Sequence, residues 1–408
     1  MWKSALATMA VAWCLAAQAG PPRPVAGFVF VRGPQLMLNG REYRAVGVNV
    51  PHLSQIYLGT WFHLGQLYGT PEAAKAAAVA AVEDASRGGL AFIRFFAGPG
   101  YPIEADRLYA RDPDAYWRGM DELFALCRRS GVRLVPSLNV TTWNAHCGEP
   151  RGAILDPASK TAQANRRYVQ AFVTRYKDDP TVLMWELENE VMLAADVDAQ
   201  GSPLLPRGVY PEGATVRETG EREDSLTWAM TQRLYREQAA FIKSLDPNHP
   251  VTSGDAGVRP EATSRRETFP EFRFRDDAWR EHLANELAAQ PEPLDVFSLH
   301  HYGPADPGPR GSGLDALERA RLTARAVKAA RVPLFIGELG QDVPSFKSDP
   351  EAKWARAYLD MADEEGISLI ALWVWRFPWQ PELTFDGRSH PLLVERAAAF
   401  NRRYAGIE

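Results

Sequence analysis

The sequence predicts an α/β chain closed into a (β/α)8 TIM barrel, with a small N-terminal β-ribbon and long loops at the C-terminal face. Three observations lead there. Short apolar runs alternate with amphipathic helical stretches, the pattern of a parallel sheet covered by helices. Eight such runs can be counted, at 44–49, 90–96, 132–138, 182–188, 250–253, 295–300, 332–337 and 368–375. Two of them lead into a glutamate, Glu190 and Glu338, and an α/β barrel carries its chemistry at the C-terminal ends of its strands. No Gly-x-Gly-x-x-Gly turn follows the first run, so an open dinucleotide-binding sheet loses its main support.

Taken in order, the first nineteen residues read as an export signal. Lys3 supplies positive charge, Ala5 to Ala17 form an apolar run, and Ala17-Gln18-Ala19 is a small-x-small cleavage site before Gly20. The run is shorter than the ~20 apolar residues of a membrane span. Bulky Trp13 argues against lipid attachment at Cys14. The expectation is cleavage near Ala19 and a secreted or periplasmic location, with a Pro-rich flexible lead-in over 20–27 and one catalytic domain over 28–408. A formal net charge of −5 over 408 residues gives no electrostatic footprint for nucleic acid. A monomer is expected.

Phe28 to Asn39 alternates and closes on Asn39-Gly40, a strong hairpin signal, so a ribbon over 28–45 should cap the barrel bottom. A repeating grammar follows. Thr70-Pro71 opens a helix over 72–87 that Gly88-Gly89 ends. Asp112-Pro113 opens another, with Trp117, Phe124 and Cys127 on one face, that Gly131 ends. Asp349-Pro350 opens a third, ended by Gly366. A capping side chain with Pro at the start and Gly at the stop is the usual asymmetry. Pro333 near the start of its strand is tolerable. The connections 191–224 and 254–290 are rich in Pro, Gly and charge, and at the barrel top they would wall a cleft. Cys127 precedes the 132–138 strand and Cys147 follows it. An oxidising compartment permits a bridge, but a strand's length of roughly 17 Å exceeds disulfide reach, so both thiols should be free.

The run Leu183-Met184-Trp185-Glu186-Leu187-Glu188-Asn189-Glu190 carries three acids at alternate positions. Period-2 alternation puts Glu186, Glu188 and Glu190 on one face. Three inward carboxylates repel unless paired, so Glu186 should have a buried cationic or hydrogen-bonding partner, and a bulge or strand end near Asn189-Glu190 should bring both to the mouth. Leu334-Phe335-Ile336-Gly337-Glu338 is the second acidic strand. Arg94, at the mouth end of its strand, can hold a neighbouring carboxylate ionised; the bland alternative is a structural ion pair. His300 and Tyr302 share a face at another strand end. Trp373 and Trp375 point the same way, and Trp375, nearer the mouth, is the expected sugar-stacking ring, with core filling as its alternative.

Two carboxyl groups suit glycosidic cleavage, because one protonates the leaving oxygen while the other attacks or stabilises the sugar carbon. The acid needs a raised pKa and the nucleophile needs donors or a cation. The 12 Trp residues supply flat apolar faces with a polar edge, which suit sugars as well as cores. His52, His63, His146 and His300 lack His-x-His or Glu-x-x-His spacing, so no metal and no cofactor are expected.

On these residues the chain resembles glycoside hydrolase family 5, of the clan of (β/α)8 retaining β-glycosidases with glutamates on barrel strands 4 and 7. Trp185-Glu186-Leu187-Glu188-Asn189-Glu190 is similar to the strand-4 signature, whose Asn-Glu is the acid/base site, and Ile336-Gly337-Glu338 to the strand-7 nucleophile. Arg94, His300, Tyr302 and Trp375 fall where the family carries its strand-2 Arg, strand-6 His and Tyr, and strand-8 Trp. Asn39-Gly40-Arg41-Glu42-Tyr43 through Gly47-Val48-Asn49, and Asn139 followed by Trp143, are similar to the mannanase-like branch. The resemblance covers roughly residues 28–400. Val191 stands where the family usually has Pro, which touches loop geometry.

The resemblance implies Glu190 as acid/base and Glu338 as nucleophile, about 5–5.5 Å apart. It implies Arg94, Asn139, Trp143, Asn189, His300, Tyr302 and Trp375 as substrate-binding residues, with Asn189 on the sugar 2-hydroxyl. The implied substrate is a β-1,4-linked polysaccharide or oligosaccharide, cut internally, mannan first. A β-1,4-glucanase and an exo-acting β-mannosidase or β-glucosidase are alternatives within the family. A barrel that binds carbohydrate without cleaving it, and a metal-dependent hydrolase, are alternatives of other classes.

Overall fold

The computed structural model describes residues 27–61, 63–98, 108–196, 226–268, 274–303, 309, 312–341, 346, 349 and 351–406. The expected export signal, nearly all of the lead-in and the connection from 197 onward lie outside the described residues.

The chain enters through three antiparallel strands, β1 (Val29–Arg32), β2 (Gln35–Leu38) and β3 (Arg41–Tyr43). Asn39 and Gly40 both take positive φ, 51° and 80°, which a tight primed turn between β2 and β3 requires. The ribbon has one strand more than a hairpin. Its Val29, Leu36 and Tyr43 pack on Ala91, Phe92, Leu183, Val296, Leu369 and other residues at the strand starts, so it closes the barrel bottom.

Eight strands follow: β4 (Ala45–Asn49), β5 (Phe92–Phe96), β6 (Arg133–Ser137), β7 (Trp185–Glu186), β8 (Val251–Thr252), β9 (Phe297–Tyr302), β10 (Leu334–Gly340) and β11 (Leu369–Leu372). They pair in parallel, in chain order from β4 to β8 and from β9 to β11, and β11 pairs β4. A single parallel bridge, Thr252 to Val296, joins β8 to the start of β9 and closes the ring. The (β/α)8 barrel is therefore the fold. The expected strand over 182–188 shrinks to two residues, preceded by a bridge from Leu134 to Val182. Beyond it the backbone turns away, and Glu190 takes a left-handed φ of 58°.

The covering helices are α1 (Leu53–Leu58), α2 (Leu64–Leu67), α3 (Pro71–Arg87), α4 (Pro113–Arg129), α5 (Trp143–Cys147), α6 (Lys160–Tyr176), α7 (Trp228–Leu245), α8 (Ala262–Thr268), α9 (Trp279–Ala289), α10 (Ala316–Ala329), α11 (Lys353–Glu365) and α12 (Pro391–Tyr404). Thr70 and Asp112 cap α3 and α4 by accepting from Ala73 N at 3.2 Å and Ala115 N at 2.9 Å, each with Pro in the first turn. α4 turns Tyr116, Met120, Leu123, Phe124 and Cys127 to the core. Cys127 and Cys147 are not bridged to each other.

Two expectations need correction. α11 begins at Lys353 rather than just after Asp349, although Asp349 Oδ2 still accepts from Trp354 N at 3.4 Å. The 254–290 connection is not structureless, since it holds α8 and α9. α9 buries His282, Asn285 and Glu286 beside Ala289, so its inward face is largely polar and leaves no apolar stripe to read. Among the described residues no helix is long and apolar enough to cross a membrane.

Candidate active site at the C-terminal rim of the barrel

Arg94, on β5, is the hub of the rim and is 1% exposed. Its Nε donates to both oxygens of Glu186 at 2.9 and 2.8 Å. Nη1 donates to Asn49 Oδ1 at 3.1 Å and Glu338 Oε1 at 2.8 Å, and Nη2 donates to Asn189 Oδ1 at 2.6 Å. Burial works against the guanidinium charge, but the Glu186 and Glu338 carboxylates outweigh it and push its pKa above the ordinary value. The partner expected for Glu186 is thus Arg94. Burial raises the Glu186 carboxyl above its usual range, with Arg94 opposing.

Glu338, near the end of β10, is 3% exposed. Besides Arg94, the Tyr302 hydroxyl donates to its Oε2, and His300 Nδ1 lies 3.5 Å from its Oε1. Burial first, and then Glu338 and Glu190, push the Tyr302 phenol well above 10, so it stays protonated and remains a donor. Gly337 lets His300 approach, because a Cβ there would lie 2.7 Å from His300 Nε2.

Glu190 faces this group from across the barrel. Its Oε1 is 2.8 Å from His300 Nδ1, and 24% of its side chain is exposed. Burial raises its pKa, with Arg94 acting the other way. Burial pushes His300 down to about 3, so the imidazole is neutral at ordinary pH and can exchange roles with Glu190. Its Nδ1 donates to a Glu190 carboxylate or accepts from a Glu190 carboxylic acid. Oxygens of Glu190 and Glu338 and a nitrogen of His300 lie within 4.8 Å of one another. The arrangement sets a carboxyl poised to carry a proton opposite a carboxylate wrapped in donors. Three such groups could also ligate a metal. The donor set argues against it here, because the Arg94 cation already sits on Glu338 Oε1 and His300 Nδ1 on Glu190.

The structure brings Glu190, Glu338, Arg94, Asn189, His300 and Tyr302 together. Asn189 Oδ1 is taken by Arg94, which leaves its amide N–H2 end for the cleft. The other candidates fall elsewhere. Glu188 does not face inward beside Glu186: Thr141 N and Oγ1, both at 2.7 Å, and Asn139 Nδ2 at 3.2 Å hold it toward the β6 loop. Asn139 therefore spends its amide on Glu188 and, through Oδ1, on Gly98 N at 3.2 Å, and positions the loop rather than meeting substrate. Trp143 is 5% exposed and packs on Tyr168 in the core.

Trp375 needs the same correction. It is 1% exposed, packs on Phe385 and donates its indole N–H to Ala81 O of α3 at 3.0 Å, so it has no face for a sugar. β11 ends at Leu372, and alternation does not carry past it. Trp373 takes the place at the rim. Its ring meets Tyr302 edge-on at 6.4 Å and its Nε1 donates to Gln380 Oε1 at 2.9 Å.

Asn49 and Asp255 were also missed. Asn49 Nδ2 donates to Gly337 O at 2.9 Å and Ala371 O at 3.2 Å, tying β4 to β10 and β11 while its Oδ1 steadies Arg94. Its place at the end of a barrel strand was the available signal. Asp255, just past β8, accepts from Met192 N and the Tyr235 hydroxyl behind Glu190. Nothing local in Ser253-Gly254-Asp255 announces that contact.

No protein-family model matches the chain. Mannan endo-1,4-beta-mannosidase 7 of Arabidopsis thaliana is 25% identical over 307 residues, which are 68% of this chain and 59% of that protein. The chain thus spans about three fifths of that relative's length. Among solved structures, the endo-1,4-beta-mannanase from Rhizomucor miehei superposes with a TM-score of 0.63 at 16% identity, over 92% of this chain and 99% of that one. The exo-beta-1,4-mannosidase Op5Man5 from Opitutaceae bacterium strain TAV5 superposes with a TM-score of 0.56 at 18% identity, over 94% and 63%. These structural likenesses are likenesses of fold.

Proposed function

We propose, for a chain that belongs to the mannanase-like branch of glycoside hydrolase family 5, that it is a retaining β-glycosidase cutting β-1,4-linked mannan internally. The observation that carries this is the pairing of Glu190 and Glu338 oxygens within 4.8 Å, in opposite electrostatic settings. Retention calls for carboxyls about 5–5.5 Å apart, and inversion for roughly 6.5–9.5 Å to admit a water.

Glu338 Oε attacks the anomeric carbon while Glu190 gives its proton to the departing glycosidic oxygen. The resulting glycosyl ester on Glu338 is then opened by a water whose proton passes to Glu190. Arg94 and Tyr302 donate to the two oxygens of Glu338 and fix its orientation. Burial keeps Glu190 protonated further toward neutral pH. The amide N–H2 end of Asn189, which Arg94 does not use, is available to the sugar 2-hydroxyl. Mannan is preferred to glucan because relatives such as the Arabidopsis thaliana protein are named mannan endo-1,4-beta-mannosidases. Export is part of this reading and rests on Lys3, the run Ala5 to Ala17 and Ala17-Gln18-Ala19.

The test is the purified protein on mannan, glucomannan, cellulose and manno-oligosaccharides, with products resolved by length and the first-formed anomer read by NMR. Oligosaccharides of several lengths with β-configured new ends, insensitive to a chelator, are expected. α-Configured ends, monosaccharide alone, or full turnover by Glu338→Ala would refute the proposal.

A further inference from the structure

We infer that Glu188 is a positioning residue for recognition of the sugar 2-hydroxyl: its carboxylate holds the backbone of Asn189 so that the Asn189 amide stays aimed into the cleft. This deepens the mannanase reading and rests on it.

β7 ends at Glu186, and the backbone beyond it is only partly paired. Glu188 N and Glu190 N donate to Ser253 O at 3.1 Å and Gly254 O at 3.0 Å, on the β8 side. Asn189 N, between them, donates instead to the side chain of the residue before it, Glu188 Oε1, at 3.0 Å. A backbone N–H past the end of a ladder needs such an acceptor.

The Glu188 carboxylate is itself fixed. Asn139 Nδ2 donates to the same Oε1 at 3.2 Å, and Thr141 N and Oγ1 donate to Oε2, both at 2.7 Å. Asn139 Oδ1 in turn accepts from Gly98 N at 3.2 Å, so the segments after β5, β6 and β7 meet on one side chain that is 4% exposed. Four donors, two on each oxygen, suit a carboxylate, which only accepts. Gln in its place would turn an amide N–H2 toward one pair of donors whichever way it lay.

Asn189 is therefore gripped twice. Arg94 Nη2 donates to its Oδ1 at 2.6 Å and Glu188 takes its backbone N–H, which leaves Nδ2 for the substrate. The 2-hydroxyl is where mannose and glucose differ, axial in one and equatorial in the other. A hydrogen bond to it strengthens in the transition state, and a donor held in place beforehand costs no reorganisation at that moment. Glu188 acts on the reaction through Asn189, from behind it.

The test compares wild type, Glu188→Gln and Thr141→Val in hydrolysis of mannohexaose and in the rate at which 2-deoxy-2-fluoro-β-mannosyl fluoride labels Glu338, read by mass spectrometry. The label carries fluorine where the substrate carries the 2-hydroxyl, so it reports the nucleophile without that contact. Glu188→Gln should lower kcat on mannohexaose about tenfold, with KM little changed, and should label as fast as wild type. Thr141→Val removes one donor from Glu188 Oε2 and leaves Asn189 untouched; it should show the same split at about threefold, and it decides the matter if Glu188→Gln does not fold. An equal loss in hydrolysis and labelling means a merely structural staple and overturns the inference, as does unchanged hydrolysis. A wild type that does not hydrolyse mannohexaose overturns the mannanase reading, and the inference with it.

Discussion

Asp255→Asn is the most informative single change behind the site. The side chain is 1% exposed; its Oδ1 accepts from Met192 N at 2.9 Å and the Tyr235 hydroxyl at 2.7 Å, while its Oδ2 has no hydrogen-bond partner among the described residues. Burial pushes its pKa up to about 7; the Met192 and Tyr235 hydrogen bonds oppose this, and Glu190 and Glu286 add to it. A carboxyl raised in the folded state stabilises that state below the unfolded pKa of 3.8 and loses the contribution as pH rises to about 7. At ~1.36 kcal/mol per unit, the wild type should lose on the order of 2–3 kcal/mol between pH 5 and pH 8 through this group. Asn keeps the Oδ1 acceptor and cannot ionise. Urea unfolding at half-unit steps from pH 5 to 8 should show the stability difference, variant minus wild type, growing by that amount and levelling above pH 7. Removing a like charge near Glu190 should also move the basic limb of the rate profile to lower pH. Parallel stability curves across the range would refute the assignment of the buried proton to Asp255.

Four further outcomes are expected. Glu186→Gln strips a buried partner from Arg94 and should cost about 3 kcal/mol in urea unfolding, although Glu186 never meets the substrate. Tyr302→Phe removes the donor to Glu338 Oε2, a charge-assisted bond worth ~1.5–3 kcal/mol, and should lower kcat about 10- to 100-fold with the thermal midpoint little changed. Trp375→Ala should cost about 3–5 kcal/mol of stability and leave the rate per folded molecule intact. Trp373→Ala should do the reverse, which separates the two rings by circular dichroism melting and initial rates.

The barrel was legible because its signals are local. Thr70-Pro71 and Asp112-Pro113 mark helix starts wherever they occur, and apolar runs mark buried strands. Glu190 and Glu338 were legible because the residues leading to them carry a recognisable pattern. Two of the failures share one cause. Alternation holds only while a segment stays in the sheet, and both β7 and β11 end earlier than their apolar runs suggest. Glu188 and Trp375 lie past those ends, so a face assigned by counting was wrong for each. Asn49, Thr141 and Asp255 act on groups from other strands, and no spacing along the chain encodes such contacts. α9 was hidden for a different reason, since its inward face is mostly polar.

The Arg94 cluster sets the sign of the field at the floor of the cleft. One guanidinium touches two carboxylates, Glu186 and Glu338, and all three are almost wholly out of water. With both acids ionised the trio sums to one uncompensated negative charge in a low-dielectric setting. A sugar ring that becomes cationic as its bond breaks finds that surplus waiting, and so does any protonated ring-nitrogen mimic of it. Such a mimic should bind the native protein more tightly as its own amine charges, and neutralising Glu186 alone, a residue it never touches, should blunt that preference.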